Sequence, residues 1–293
     1  MPALAVTLPQ FSVEPRPSVD ACLDARRLGF AGAFVFDHLW PLGGDRARPA
    51  MECWTLLAAL AAEVGRRPAG ADRFRVGTLV TRAGLRAPAL VARMAATVGQ
   101  AAGAPPVIGI GRGDLANRAE NLAFGLPFHD AAGRSRVLEA TVAALRGPLA
   151  GAPPPTVWVG GLGEGARELA GRLADAWNAW GVTPEELAAG LAGVRGAAER
   201  AGRDPAAVAG TWGGQVLVAG ERREAAERLA RWGADRAPDE VARVLAGTPE
   251  QVLARLRALG DAGAAWCVLA FVGGSGSGMR AQLAPAAGLV PRG

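Results

Sequence analysis

The sequence predicts an α/β fold, a (β/α)8 barrel of the TIM type, and three observations carry that expectation. Short apolar runs alternate with longer segments of helical periodicity, the pattern of βα units on a parallel sheet. There are eight such runs. The length of 293 residues fits one barrel, which typically takes roughly 250, although two domains of about 150 would fit as well. A doubly wound open sheet competes, but the GxGxxG turn expected after its first strand is missing.

The candidate strands are LAVTL from Leu4, GAFVF from Gly32, FRVGTLV from Phe74, PVIGIG from Pro106, TVWVGG from Thr156, DAWNAW from Asp175, QVLVAG from Gln215 and WCVLAFV from Trp266. Between them, Thr183-Pro184-Glu185-Glu186 and Thr248-Pro249-Glu250-Gln251 each place Thr at an N-cap, Pro at the first helical position and Glu or Gln three residues on. Both read as capping boxes. Val252, Leu253, Leu256 and Leu259 then form one apolar stripe. Gly147–Pro155, GPLAGAPPP, cannot propagate a helix and reads as a semi-rigid loop. The Gly-rich stretch Gly273–Gly278 reads as a flexible connection. One barrel domain is expected over 1–288. The final LVPRG, 289–293, matches a thrombin recognition sequence and is left outside the barrel.

Composition removes whole chemistries. The 32 Lys+Arg residues are all arginine, and Tyr is absent. Without Lys there is no Walker A clamp, Schiff base or Lys general base. Without Tyr, Tyr-dependent carbonyl reductases are excluded. His38 and His129 are the only imidazoles, too few for a multi-His metal cage, so no metal is expected. Scarce Lys, Tyr, Ile and Asn beside abundant Ala, Gly, Arg and Pro is what GC-rich coding produces. The pI of 10.5 thus reflects a net charge of +5 spread along the chain, without the arginine runs and interleaved aromatics of a nucleic-acid groove. Cys22, Cys53 and Cys267 form no CxxC pair and are expected as buried thiols. The start MPALAVTLPQF lacks the features of a signal peptide, and no apolar run approaches the ~18 residues of a membrane span. A cytoplasmic protein with no membrane partner is expected.

In a barrel the chemistry lies at the C-terminal ends of the strands. There the sequence offers Asp37-His38 after the second strand, Thr81-Arg82 after the third and Gly111-Arg112-Gly113-Asp114 after the fourth, with Asn117 and Glu120 beyond. Gly160-Gly161-Leu162-Gly163 follows the fifth strand, and Trp180, Glu221 and the Gly-rich stretch follow the sixth to eighth. An imidazole at a barrel mouth can exchange a proton near neutral pH while an adjacent carboxylate sets its tautomer. Gly160, Gly161 and Gly163 before a helix suit a phosphate, since bare amides and a helix N-terminus favour an anion. Gly111 and Gly113 would let backbone approach a ring or anion. His129 reads as a helix entry, and the tryptophans at 40, 158, 177, 180 and 212 read as core filler before cofactor wall.

Together these motifs resemble the bacterial luciferase-like monooxygenase superfamily, and within it the branch that uses the deazaflavin coenzyme F-420. The resemblance rests on FVFDHLW, VGTLVTRAGLRAPALVARMAATV, VIGIGRGD, ENLAFGLPF and TVWVGGLGEGARELAGRLADAW. It implies a luciferase-like barrel holding F-420, or alternatively FMN, across its mouth. It also implies a non-prolyl cis peptide within Thr78-Leu79-Val80 behind the ring, and those three residues as cofactor-binding. Asp37 and His38 would lie near the reactive ring atom, Asp114 and Asn117 would face ring or substrate, and Gly160, Gly161 and Gly163 would bind phosphate. The sugar-oxidising members carry a Trp four positions after the His, where this chain has Leu42. A hydride-transferring cofactor accounts for the missing nucleophiles.

The function expected is hydride transfer between F-420 and a small organic substrate, with His38 managing the proton, Asp37 orienting it and Asp114 as a second acid or base. The alternatives are a two-component FMN-dependent monooxygenase, a glycoside hydrolase using Asp114 and Glu221 as its carboxylate pair, and a non-catalytic ligand-binding barrel. Ala-rich outer helices make a homodimer plausible.

Overall fold

A computed structural model describes residues 1–41, 46–66, 74–148, 154–273 and 277–290. The chain runs β1 (Ala3–Thr7), α1 (Arg16–Arg27), β2 (Gly32–Val35), α2 (Cys53–Gly65), β3 (Arg75–Arg82), α3 (Pro88–Ala102), β4 (Val107–Gly111), α4 (Arg118–Ala123), α5 (Ala131–Arg146) and β5 (Thr156–Gly160). It continues through α6 (Glu164–Leu173), β6 (Ala176–Trp180), α7 (Pro184–Arg200), β7 (Ala209–Val218), α8 (Arg222–Gly233), α9 (Pro238–Ala242), β8 (Leu245–Gly247), α10 (Pro249–Asp261), β9 (Ala264–Phe271) and α11 (Ser277–Ala286). All pairings are parallel: β1 to β6 pair in chain order, β6 joins β7, β7 joins β9, and β9 returns to β1. Eight strands thus close a TIM barrel, as expected.

Three departures are informative. The seventh strand begins at Ala209, six residues before the expected start at Gln215. Its first half, AGTWGG, is rich in glycine and lacks the apolar run that marks the rest of the strand. In the barrel those glycines admit indoles: a Cβ on Gly213 would lie 2.7 Å from the Trp180 ring, and one on Gly214 would lie 2.2 Å from the Trp212 ring. A ninth strand, β8, pairs with Val216–Val218 at the end of β7 and is too short to leave a sequence pattern. Finally, the segment set aside as a tail partly packs, since Leu289 is buried in the core. Leu42 and residues 149–153, 274–276 and 291–293, which carry parts of the loops and tail read above, lie outside the described residues.

The interior follows strand alternation, because successive residues of a strand face opposite sides. Ala5, Phe34, Leu79, Val107, Trp158, Ala176 and Val268 form a plug inside the barrel. Phe34 and Trp158 stack at 5.3 Å between centroids, and Trp266 meets Trp158 edge-on at 5.5 Å. Outside the sheet, helix stripes such as Val252, Leu256 and Leu259 of α10 are buried. The capping box at Thr183 is formed in both directions, Glu186 N donating to Thr183 Oγ1 at 3.2 Å and Thr183 N to Glu186 Oε2 at 2.9 Å. At Thr248 the backbone N–H donates to Gln251 Oε1 at 3.1 Å. The three cysteines are buried thiols, and burial pushes the Cys267 thiol up to about 12. No helix among the described residues is long and apolar enough to cross a membrane.

Candidate functional site at the barrel mouth

Above the aromatic plug the strands end in a cavity of two lobes. The first, about 980 Å³, is walled by His38, Leu79, Val80, Arg82, residues 111–117, Arg134, residues 160–163 and Asn178. The second, about 390 Å³, lies toward β1 and β9; Phe36, Trp180 and Gln215 border both. Phe36 and Trp180 meet edge-to-face at 5.8 Å and form the partition.

The floor of the first lobe is a bulge in β3. Register shifts between Thr78 and Thr81, and the Leu79–Val80 peptide is cis, within the tripeptide expected to hold it. Val80 points its side chain at residues that lack one: a Cβ on Gly111 or Gly160 would lie 2.9 Å from it. Gly111 and Gly160 therefore make room for the bulge, and both also line the lobe. Thr78 does not reach the lobe; it is buried and its hydroxyl donates to Gly109 O at 2.7 Å.

His38 lines this lobe with its side chain 20% exposed, and its Nδ1 lies 3.3 Å from Glu120 Oε2. The carboxylate beside the imidazole is therefore Glu120 of α4 and not Asp37. Glu120 is buried; it accepts from Leu39 N, and its Oε1 lies 3.1 Å from Arg82 Nη2. Burial alone would raise its carboxyl, but the His38 contact, the Leu39 amide and the Arg82 charge outweigh burial and hold it below the ordinary value. Asp37 is fully buried behind the wall: Thr81 Oγ1 donates to its Oδ2 at 2.5 Å, and Arg86 grips it bidentately at 2.6 and 3.1 Å. Arg86 also pairs with Glu52. Asp37 thus ties the end of β2 to β3, a structural task that sequence adjacency to His38 concealed. Glu120 stands in a helix 82 residues from His38, so only the fold could pair them.

The far end of the lobe suits an anion. Gly163 is the N-cap of α6, and a Cβ on it would lie 3.9 Å from Arg112 Nη2. Arg112 Nη1 donates to Ser135 Oγ at 3.3 Å. Arg134, only 9% exposed, spends Nη1 on His129 O at 2.9 Å and stacks on Phe128, but its Nε has no partner among the described residues. Arg112, Arg134 and the α6 N-terminus thus put positive charge on one wall of the lobe. Gly161, at φ +134°, turns the chain into α6, and its carbonyl accepts from Trp177 Nε1 at 2.7 Å. Asp114 and Asn117 stand on the lobe wall and lock a tight turn: Ala116 N donates to Asp114 Oδ1 at 2.9 Å, and Asp114 N to Asn117 Oδ1 at 3.0 Å.

Glu221, the proposed hydrolase partner of Asp114, is an exposed N-cap of α8 and lines neither lobe. That carboxylate pair is not assembled. His129 is an exposed loop residue before α5, as expected of a helix entry. Trp158, Trp177 and Trp212 are core, while Trp180 walls both lobes.

Residues 6–242 match the luciferase-like monooxygenase family. A phthiodiolone/phenolphthiodiolone dimycocerosates ketoreductase of Mycobacterium tuberculosis (strain ATCC 25618 / H37Rv) is 32% identical over 238 residues, 73% of this chain and 55% of that protein. The chain spans about half the length of the curated relatives it matches. Among solved structures, an F-420-dependent secondary alcohol dehydrogenase in complex with an F-420-acetone adduct superposes with TM-score 0.75 at 18% identity, covering 92% of this chain and 94% of that one. The EDTA monooxygenase of Chelativorans sp. BNC1 gives 0.76 at 17%, covering 98% and 94%. These two likenesses show the shared fold. The chain belongs to the luciferase-like monooxygenase family, whose enzymes are oxidoreductases working with F-420 or FMN.

Proposed function

We propose that this chain transfers a hydride between coenzyme F-420 and a small organic substrate at the barrel mouth. The observation that carries the reading is the His38–Glu120 pair on the wall of a lobe with a bulged floor at one side and an anion cradle at the other. The residues fit the group: about 980 Å³ admits a fused-ring system, and Arg112, Arg134 and the α6 N-terminus would hold its phosphate. When bound, the coenzyme supplies or takes the hydride, and the protein contributes orientation and proton management.

Hydride loss from a substrate leaves a proton to be taken up, and hydride gain requires one to be delivered. His38 takes both tasks in this reading. Its Nδ1 faces Glu120, which favours a donor there, leaving Nε2 to hold the exchanging proton. Asp37 acts at one remove by anchoring Arg86 and Thr81, and Asp114 shapes the wall. Incubating the enzyme with oxidised F-420 and a panel of small alcohols, and following loss of the cofactor's visible absorption, tests the activity. His38→Ala should lower turnover by about 10² to 10⁴-fold with F-420 affinity within about threefold; turnover equal to wild type would refute the role.

Reduced FMN with oxygen is the second reading. It is supported by the same anion cradle, which suits any phosphate ester, and by the fold shared with the EDTA monooxygenase.

A further inference from the structure

We infer that Thr7 and Gln215 form a recognition pair for the uncharged oxygen of a compact carbonyl or hydroxyl substrate seated in the second lobe. This rests on the reading of the first lobe as the cofactor's. Counting by two from the plug residues brings Thr7 above Ala5, Phe36 above Phe34 and Ala270 above Val268, so all three face inward at the top of the barrel, and all line the second lobe. On β7 the same count from Ala209 reaches Gln215. Thr7 is only 6% exposed, and neither its hydroxyl nor the Gln215 amide has a hydrogen-bonding partner among the described residues. A polar group in an apolar surround is costly to leave unpaired, and here Phe11, Phe271 and Met279 supply the apolar walls. Two such groups opening into one cavity mark where a ligand's polar atom belongs.

Their chemistry sets the class. A hydroxyl and a primary amide can each donate to a carbonyl oxygen or share a hydrogen with a hydroxyl, and neither is charged. Among the described residues no carboxylate lines the lobe. Arg236 is already engaged, with Nη1 on Glu240 Oε1 at 2.9 Å, Nε on Trp232 O at 3.2 Å and its guanidinium over the Trp232 ring. Arg48 is exposed. Of the two arginines on the lobe, one is thus paired and the other stands at an exposed position. Because Gln215 borders both lobes, an oxygen held there lies with its carbon at the boundary with the cofactor lobe, which His38 also lines. A volume of about 390 Å³ limits the enclosed part to a small ring or short chain.

The test uses shape-conserving variants, T7V and Q215M, and two probes with the same six-membered ring, cyclohexanone and cyclohexanecarboxylate. Binding is read by quenching of tryptophan fluorescence in protein without cofactor, since Trp180 and Trp232 line the lobe, and circular dichroism checks that each variant folds. Wild type should bind the ketone more tightly than the carboxylate. Each variant should weaken the ketone about tenfold, the worth of one hydrogen bond, and T7V should keep F-420 affinity within about twofold. Ketone affinity unchanged in both variants, no ketone binding, or preference for the carboxylate would overturn the assignment. The probe titration needs no cofactor, so a protein that fails to take F-420 yet shows the variant pattern refutes the cofactor reading and supports the pair.

Discussion

At the scale of residues, the site turns on which carboxylate serves the imidazole. His38 and Asp37 were legible as a pair because they are neighbours in sequence, but chain adjacency at a strand end sends the two side chains to opposite sides. Asp37 goes behind the wall to Arg86, and His38 faces the lobe. The acid at His38 is Glu120, whose buried carboxylate is held low by His38, the Leu39 amide and Arg82 against the opposing effect of burial. A carboxyl whose folded value is depressed contributes stability that is fully present above its ordinary value of 4.5 and is lost as pH falls through the lower folded value. Glu120→Gln should therefore cost about 1–3 kcal/mol at pH 7, and the gap to wild type should narrow as acid titrates the carboxylate. Urea unfolding from pH 7 to pH 3 measures it; a gap independent of pH would contradict the assignment. The anion cradle makes a separate prediction. Arg134→Ala should weaken a phosphate-bearing cofactor at least about tenfold, given that charged hydrogen bonds are worth about 1.5–3 kcal/mol, and should leave the phosphate-free ring compound unaffected. Equal losses for both compounds would assign Arg134 to folding alone.

At the scale of elements, glycines are the residues whose roles depend most on their neighbours. Strand alternation and cap motifs were readable because each is written in a few consecutive residues: the Thr183 box and the α10 stripe stand where the sequence put them. Glycine carries no such local sign. Gly213 and Gly214 are strand residues beneath indoles, and Gly160, on the lobe wall, also yields space to Val80. In each case the reason lies on another strand. Gly160→Ala should push into Val80, which overpacking makes costly by about 1–3 kcal/mol, and should lower cofactor affinity because the bulge is the lobe's floor. A lowered melting temperature together with weaker F-420 binding is expected; wild-type values for both would show that the bulge tolerates a methyl. Removing the hydroxyl in Thr183→Ala should cost about 0.5–2 kcal/mol, seen in chemical unfolding without any change at the mouth.

At the scale of the whole fold, the described residues form a closed barrel in which the same alternation fills the interior and furnishes the cavity above it. Its architecture was legible because eight βα units repeat one local pattern, whereas the two-lobed mouth was not, since residues from β1, β2, β6, β7 and β9 meet there only after closure. The plug carries that closure. Trp158→Ala should destabilise by about 3–5 kcal/mol, since the ring packs against Phe34 and Trp266 at once; thermal unfolding close to wild type would mean the barrel closes without it. The central claim is that the larger lobe is built for a phosphate-bearing deazaflavin. Calorimetric titration of the purified protein with F-420 and, separately, with FMN and reduced FMN tests it most directly. Micromolar F-420 binding with clearly weaker binding of both flavins is the predicted result, and tighter flavin binding, or binding of none of the three, would contradict it.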